Sequence, residues 1–231
     1  ACKSCHAELY HSCLHTMHYN TSCEVNQSTI KGRFDAPQNI LTTCDSHVKF
    51  EMIQRDNKYF QRVHFFDWTF DVPMQISVGA EIIGQSYLYW HGDQLYQTNV
   101  TPLNHGDRWT NSPGYVDGDA AYARAIGKRC LNCHGTYFDF RAEPNHYTPD
   151  SMIFGVTCER CHGPGEQHVQ YHQQHPQEAK AHAIRVISDL PREKQLDVCA
   201  QCHLTNGNII GQPFRFRPGD NLREFYNLPT D

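Results

Sequence analysis

Between residues 47 and 100 polar and apolar side chains alternate. Val48, Phe50 and Met52 share one face, Asp56-Asn57 forms a turn, and Tyr59, Gln61 and Val63 return on the same face. That period of two predicts an antiparallel hairpin. A second hairpin is expected around His91-Gly92-Asp93, with Tyr87-Leu88-Tyr89-Trp90 before it and Leu95-Tyr96 after it. Outside this stretch the pattern is helical or absent. Cys2 to Tyr19 reads as a helix that places His11, His15 and His18 on one stripe, at spacings of four and three. Ala120 to Ile126 can start a helix, Glu166 to Ile187 is helical apart from a break at Pro176, and Pro191 opens a helix that delivers Cys199. Residues 23 to 44, residues 101 to 120 and the stretch holding Pro144, Pro149 and Gly155 read as loops. The tail from Pro213, with Phe214, Phe216 and Phe225, is expected to lie along the surface.

The chain has 231 residues, 39% of them hydrophobic, which suits one domain, with 45 to 125 as a β-rich insertion. No apolar run is long enough to span a bilayer. A formal charge of -5 argues against nucleic acid as a partner.

Cysteine changes the picture. Thr157 to His172, TCERCHGPGEQHVQYH, contains Cys158, Cys161 and His162 in the spacing by which two cysteines form thioethers to haem and the following histidine ligates its iron. The pattern recurs at Cys2, Cys5 and His6, at Cys130, Cys133 and His134, and at Cys199, Cys202 and His203. Paired cysteines with histidine also suit zinc, but zinc requires no histidine directly after the second cysteine in every copy. Four covalent haems c are therefore expected, with His6, His134, His162 and His203 as proximal ligands. Haem of this type is attached outside the cytoplasmic membrane, so the expected protein is exported, periplasmic or extracellular, its signal peptide having preceded Ala1. The eleven cysteines less the eight of the motifs leave Cys13, Cys23 and Cys44. A Cys23–Cys44 disulfide would staple the first loop, and Cys13 is expected against a haem, with intermolecular pairing as the alternative.

Sixteen histidines exceed what four proximal positions use. His18 lies twelve residues past His6, about 18 Å along a helix. Two imidazoles on one iron put their backbones only about 12 Å apart and approach from opposite faces. His18 is thus expected to cap a neighbouring haem. His168 and His172, on one helix face, can serve two haems, or one can hydrogen-bond a propionate. His182 is the fourth distal candidate, with His47, His64, His105 and His146 as alternatives. His91 and His175 read as solvated, and Met17 as core.

CKSCHAELYHSCLHTMH, GVTCERCHGPG and CAQCHL resemble the tetrahaem cytochromes c that accept electrons from hydroxylamine oxidoreductase, together with related multihaem cytochromes, over roughly residues 1–20 and 128–204. GKRCLNCHGT through Arg217-Pro218-Gly219 is also similar to exported multihaem proteins. The resemblance implies a mainly α fold with little regular structure around four stacked c-type haems, carrying the β insertion between the first and second motifs. It also implies distal ligands from the first helix and from just after CHGPG, which match His18 and His168 or His172. Cys13 departs from the family's tryptophan, and residues 45 to 125 are longer and richer in β pattern.

The function expected is electron transfer along low-potential bis-histidine haems, with redox proteins as donors and acceptors. It would run either as a shuttle or as the subunit of an extracellular filament joined through the β insertion and the termini. A multihaem reductase of a small nitrogen or sulfur oxyanion is the alternative; the catalytic haem of such relatives often carries a lysine in place of the proximal histidine, whereas all four motifs here end in histidine.

Overall fold

A computed structural model describes residues 2–80, 84–103, 108–141, 145–205 and 208–228. The chain divides into two compact units: Thr21–Ile126 with Arg141–Pro149, and Ala1–Asn20 with Gly127–Phe140 and Asp150–Asp231.

Among the described residues the first unit holds ten strands and the start of a further one, Tyr147–Phe154. β1 (Ser22–Glu24), β2 (Ile40–Thr42), β3 (Val48–Arg55), β4 (Lys58–Phe65), β5 (Trp68–Met74), β6 (Ile76–Val78), β7 (Ser86–His91), β8 (Gln94–Gln97), β9 (Val100–Leu103) and β10 (Arg108–Asn111) form sheets ordered β2-β3-β4-β5, β1-β6-β7-β8 and β9-β10. The first hairpin closes as its sequence requires. Asp56 and Asn57 take φ of 52° and 58°, the left-handed pair of a two-residue turn that follows the strand twist, and Arg55 pairs with Lys58. Gly92, at φ 63°, turns β7 into β8. Alternation then delivers Phe50, Met52, Tyr59, Val63, Val72 and Met74 to one core, where Tyr87, Val100, Trp109 and Tyr122 meet them. Gln61 is fully buried among them yet fully used: its amide donates to the Val100 carbonyl at 2.6 Å and to Thr98 Oγ1 at 3.1 Å, and its oxygen accepts from Val100 N–H and the Tyr122 hydroxyl.

The second unit holds α1 (Ala7–Leu14), α2 (Lys128–His134), β11 (Gly135–Phe140), the latter part of β12 (Tyr147–Phe154), α3 (Cys158–His162), α4 (Glu166–Gln174) and α5 (Arg192–His203). Phe216, Leu222 and Tyr226 of the tail pack with Ala200 of α5, and Phe214 rests edge-on against Phe138 at 4.6 Å.

The mainly α expectation is overturned, because strand residues outnumber helical ones and the antiparallel sheets reach well beyond a single insertion at 45–125. Residues 101 to 120 contain β9 and β10, in which Trp109 is buried with its indole N–H on the Arg33 carbonyl. The stretch between the second and third motifs forms β11 and β12 rather than a loop. Ala120 to Ile126 is not helical; it lies along β8, with Ile126 N–H on the Leu95 carbonyl and Gln97 N–H on that of Arg124. The first helix stops at Leu14, where Thr16 and Asn20 side chains take the Cys13 and Leu14 carbonyls and so compete with helical bonding. α4 ends at Gln174, just before Pro176, and no helix resumes before the 3-10 turn at Ile187–Asp189.

Candidate haem-attachment site

All four motifs fall in the second unit. Three of them are the ends of helices: α2, α3 and α5 each stop on the motif histidine, His134, His162 and His203. In such a turn cysteines at i and i+3 and histidine at i+4 share one face, as two thioethers and an iron ligand on one haem require. The first motif spans a 3-10 turn, Cys2–Ser4, and His6 is the N-cap residue just before α1. Gly163 ends α3 at φ 85°, a conformation that suits glycine at a helix C-terminus.

No disulfide joins any of the eight motif cysteines. Burial pushes the Cys2, Cys158 and Cys161 thiols up, with Cys158 adding to the effect on Cys2 and Cys13 to that on Cys158. The Cys133 thiol is raised by its hydrogen bond with Cys202 and by burial. The first and third motifs thus lie together, as do the second and fourth. Arg160, inside the third motif and 6% exposed, donates to the backbone and side-chain oxygens of Asn132 while its guanidinium sits 4.9 Å from the Phe214 ring centre. Its Nε has no hydrogen-bond partner.

Histidines of this unit meet in pairs. His6 and His168 have ring centres 6.3 Å apart at 17° between planes, and His18 and His203 are 6.2 Å apart at 82°. An imidazole with sides of about 1.33 Å has its corners about 1.1 Å from the centre. Two such rings bonded to one metal at about 2 Å lie about 6.3 Å centre to centre. Both separations match that distance. His18 is set by backbone packing: Val156 N–H donates to its carbonyl at 2.7 Å, and a Cβ on the adjacent Gly155 would come within 2.0 Å of the Tyr19 carbonyl oxygen.

His168 Nδ1 donates to the His182 carbonyl at 2.9 Å, and His162 Nδ1 to the Arg185 carbonyl at 2.8 Å. A carbonyl only accepts, so in the neutral ring Nε2 keeps the lone pair that a metal needs. His172 lies 4.6 Å from His168, ring to ring, and its buried Nε2 has no hydrogen-bond partner. The His182 ring lies flat on Tyr171 at 3.8 Å, with His175 on Tyr171 at 4.3 Å. The alternatives are engaged within the β-rich unit: His47 with Asp45 and Phe66, His64 with Glu51, and His146 with Asp93 and Gln94. His105 lies outside the described residues. Met17 is exposed rather than core.

The Cys23–Cys44 disulfide is not formed. Cys23 is in β1, its sulfur 3.0 Å from Ser77 Oγ, whereas Cys44 precedes β3 in a different sheet and bonds the Asp117 carbonyl. Sequence reasoning also missed Arg160, Tyr171 and the carbonyls of His182 and Arg185. No residue-type signal marks a backbone acceptor, and an arginine between two motif cysteines looks like an arbitrary spacer.

The family described as Cytochrome c554 and c-prime matches residues 101–163, which include the second and third motifs. No curated protein matches the chain. Among solved structures, the one titled Crystal Structure of Outer Cell Wall Cytochrome OcwA shares the fold with a TM-score of 0.61 at 16% identity, over 99% of this chain. The chain spans 44% of that protein's length. The family match lies across two of the four attachment motifs and supports a multihaem c-type cytochrome, while the structural likeness is one of fold.

Proposed function

We propose that the chain is an exported tetrahaem c-type cytochrome that passes electrons along bis-histidine haems of low potential. The observation that carries this reading is the spacing of His6 from His168 and of His18 from His203, each at the axial separation of two imidazoles on one iron. Each pair joins a motif histidine to one from a distant part of the sequence. When bound, haem supplies a one-electron ferric–ferrous couple. The chain's own residues do the rest. Cys2 with Cys5, Cys130 with Cys133, Cys158 with Cys161 and Cys199 with Cys202 fix the four groups, and His6, His134, His162 and His203 are the proximal ligands.

His168 and His18 are the distal ligands of the first and fourth haems. His172 is the candidate for a third, because its buried Nε2 is a donor atom without a partner. Carbonyl acceptors hold His162 and His168 in the tautomer that ligates through Nε2. Two imidazoles on an iron leave no position for substrate, and the absence of a methionine ligand keeps the potential low. α1 and α4 bury no side chain, and Leu9 is 72% exposed, so their apolar positions are open to cover haem faces.

Electron paramagnetic resonance of the oxidised holoprotein tests the proposal. Low-spin signals at every haem, unchanged by cyanide, are expected. A high-spin signal at one haem that shifts with cyanide would overturn full bis-histidine ligation and favour a reductase.

A further inference from the structure

Two of the hydrogen bonds that fix ligand tautomers end on one short segment. The His182 carbonyl takes the Nδ1 proton of His168, and the Arg185 carbonyl takes that of His162. These acceptors are three residues apart, between α4 and the 3-10 turn at Ile187–Asp189. Ala183 stands between them at φ 54°, a left-handed conformation that is strained for alanine and that persists where the surroundings impose it. Those surroundings are visible at both ends. The His182 ring is stacked on Tyr171 at 3.8 Å and 17°, and Tyr171 sits three residues beyond His168 on α4. Arg185 N–H donates to the His162 carbonyl at 3.0 Å, so Arg185 grips the backbone of the residue whose ring it orients.

We propose that residues 182 to 185 are a shared positioning brace for the ligands of two haems. The brace holds His168 and His162 with the proton on Nδ1, fixes their ring orientation and raises their basicity. His182 acts through its carbonyl and its stack on Tyr171, and its ring does not ligate iron. This rests on the reading above that His168 and His162 are iron ligands. A more basic imidazole stabilises ferric over ferrous iron, so the brace lowers the potential of each haem it serves. No motif marks the segment, and Arg185 is its one charged residue; its role is set by where two backbone oxygens fall.

The test uses holoprotein variants compared by absorption, haem content and redox titration monitored by electron paramagnetic resonance. His182→Phe keeps an aromatic ring on Tyr171 and should retain wild-type spectra and potentials. His182→Ala loses the stack, and the haem held by Cys2 and Cys5 should then titrate at a higher potential while staying low-spin. Tyr171→Ala should reproduce that rise and Tyr171→Phe should not. A high-spin haem in His182→Phe would make His182 an iron ligand and overturn the proposal, as would His182→Ala with unchanged potentials and full haem content. His168→Met separates the underlying reading: if it leaves the first haem spectrally unaltered, the ligand assignment itself fails, whatever the His182 variants show.

Discussion

Phe50, Met52, Val63 and Val100 are shut off from solvent in the β-rich unit, whereas in the motif-bearing unit α1 and α4 bury nothing and Leu9, Leu196 and Leu204 stand at least half exposed. The β unit pairs nearly every strand with a neighbour and closes a core of eleven buried side chains over them. The motif unit has a much smaller buried cluster, Ala200, Phe216, Leu222 and Tyr226, made chiefly by the tail rather than by the helices that carry the cysteines. A fold stabilised by its own side chains and one that reserves its faces for prosthetic groups have different sequence economies. In the first, apolar residues repeat with the strand period; in the second, cysteine and histidine are placed at fixed offsets and aliphatic positions are sparse.

The comparison is most severely tested by preventing haem attachment altogether, with serine at all eight motif cysteines. Hydrogen exchange should then show protection lost across α1, α3, α4 and α5 while β3 and β4 keep theirs. Equal loss in both units would break the comparison. A smaller perturbation comes from Phe50→Ala, which opens a cavity in the β core and should lower stability by about 3–5 kcal/mol with haem spectra unchanged. Chemical denaturation followed separately in the far ultraviolet and at the haem absorption band reads both effects.

Gln61→Leu should cost the β unit about 1–3 kcal/mol, because Val100 N–H and the Tyr122 hydroxyl lose their acceptor inside the core. For the motif unit, His18→Met is expected to change only the haem attached at Cys199 and Cys202, and His168→Met only that at Cys2 and Cys5. Spectra in which the two variants alter the same haem would show the pairs to be misassigned.

The least effect is expected from Asp71. Its hydrogen bond to Arg62, helped by Arg55, holds its carboxyl below the usual carboxylate range. A folded pKa below the unfolded one means that the ion pair contributes fully above the unfolded value, near 3.9, and is lost as pH falls through the folded value. Asp71→Asn should therefore lower the urea midpoint by about 0.2–1 kcal/mol equivalent at pH 7, and the difference from wild type should vanish in acid.

Much of this was legible in the residues. The β hairpin at Asp56-Asn57 was readable because its turn chemistry and its alternation agree, and α5 could be placed because Pro191 opens it and the fourth motif follows. The paired strands β9–β10 and β11–β12 were not, because Pro102, Gly135 and Pro149 carry loop signals that mask the strand pattern. Likewise Ala120 to Ile126 has helical propensity, but the open edge of β8 offered its backbone hydrogen bonds that a helix would have had to forgo.

By itself the sequence determined where haem attachment is expected: the four CxxCH repeats need only local offsets along one helical turn, and an i, i+3, i+4 relation is already three-dimensional. It also determined a surplus of histidines without assigning them. The tertiary structure decided that His6 faces His168 and His18 faces His203, and that the ring of His182 turns to Tyr171 while its carbonyl turns to His168. An axial pair requires two side chains about 6.3 Å apart across a gap, and that separation depends on how segments far apart along the chain are packed, which no spacing within one segment encodes.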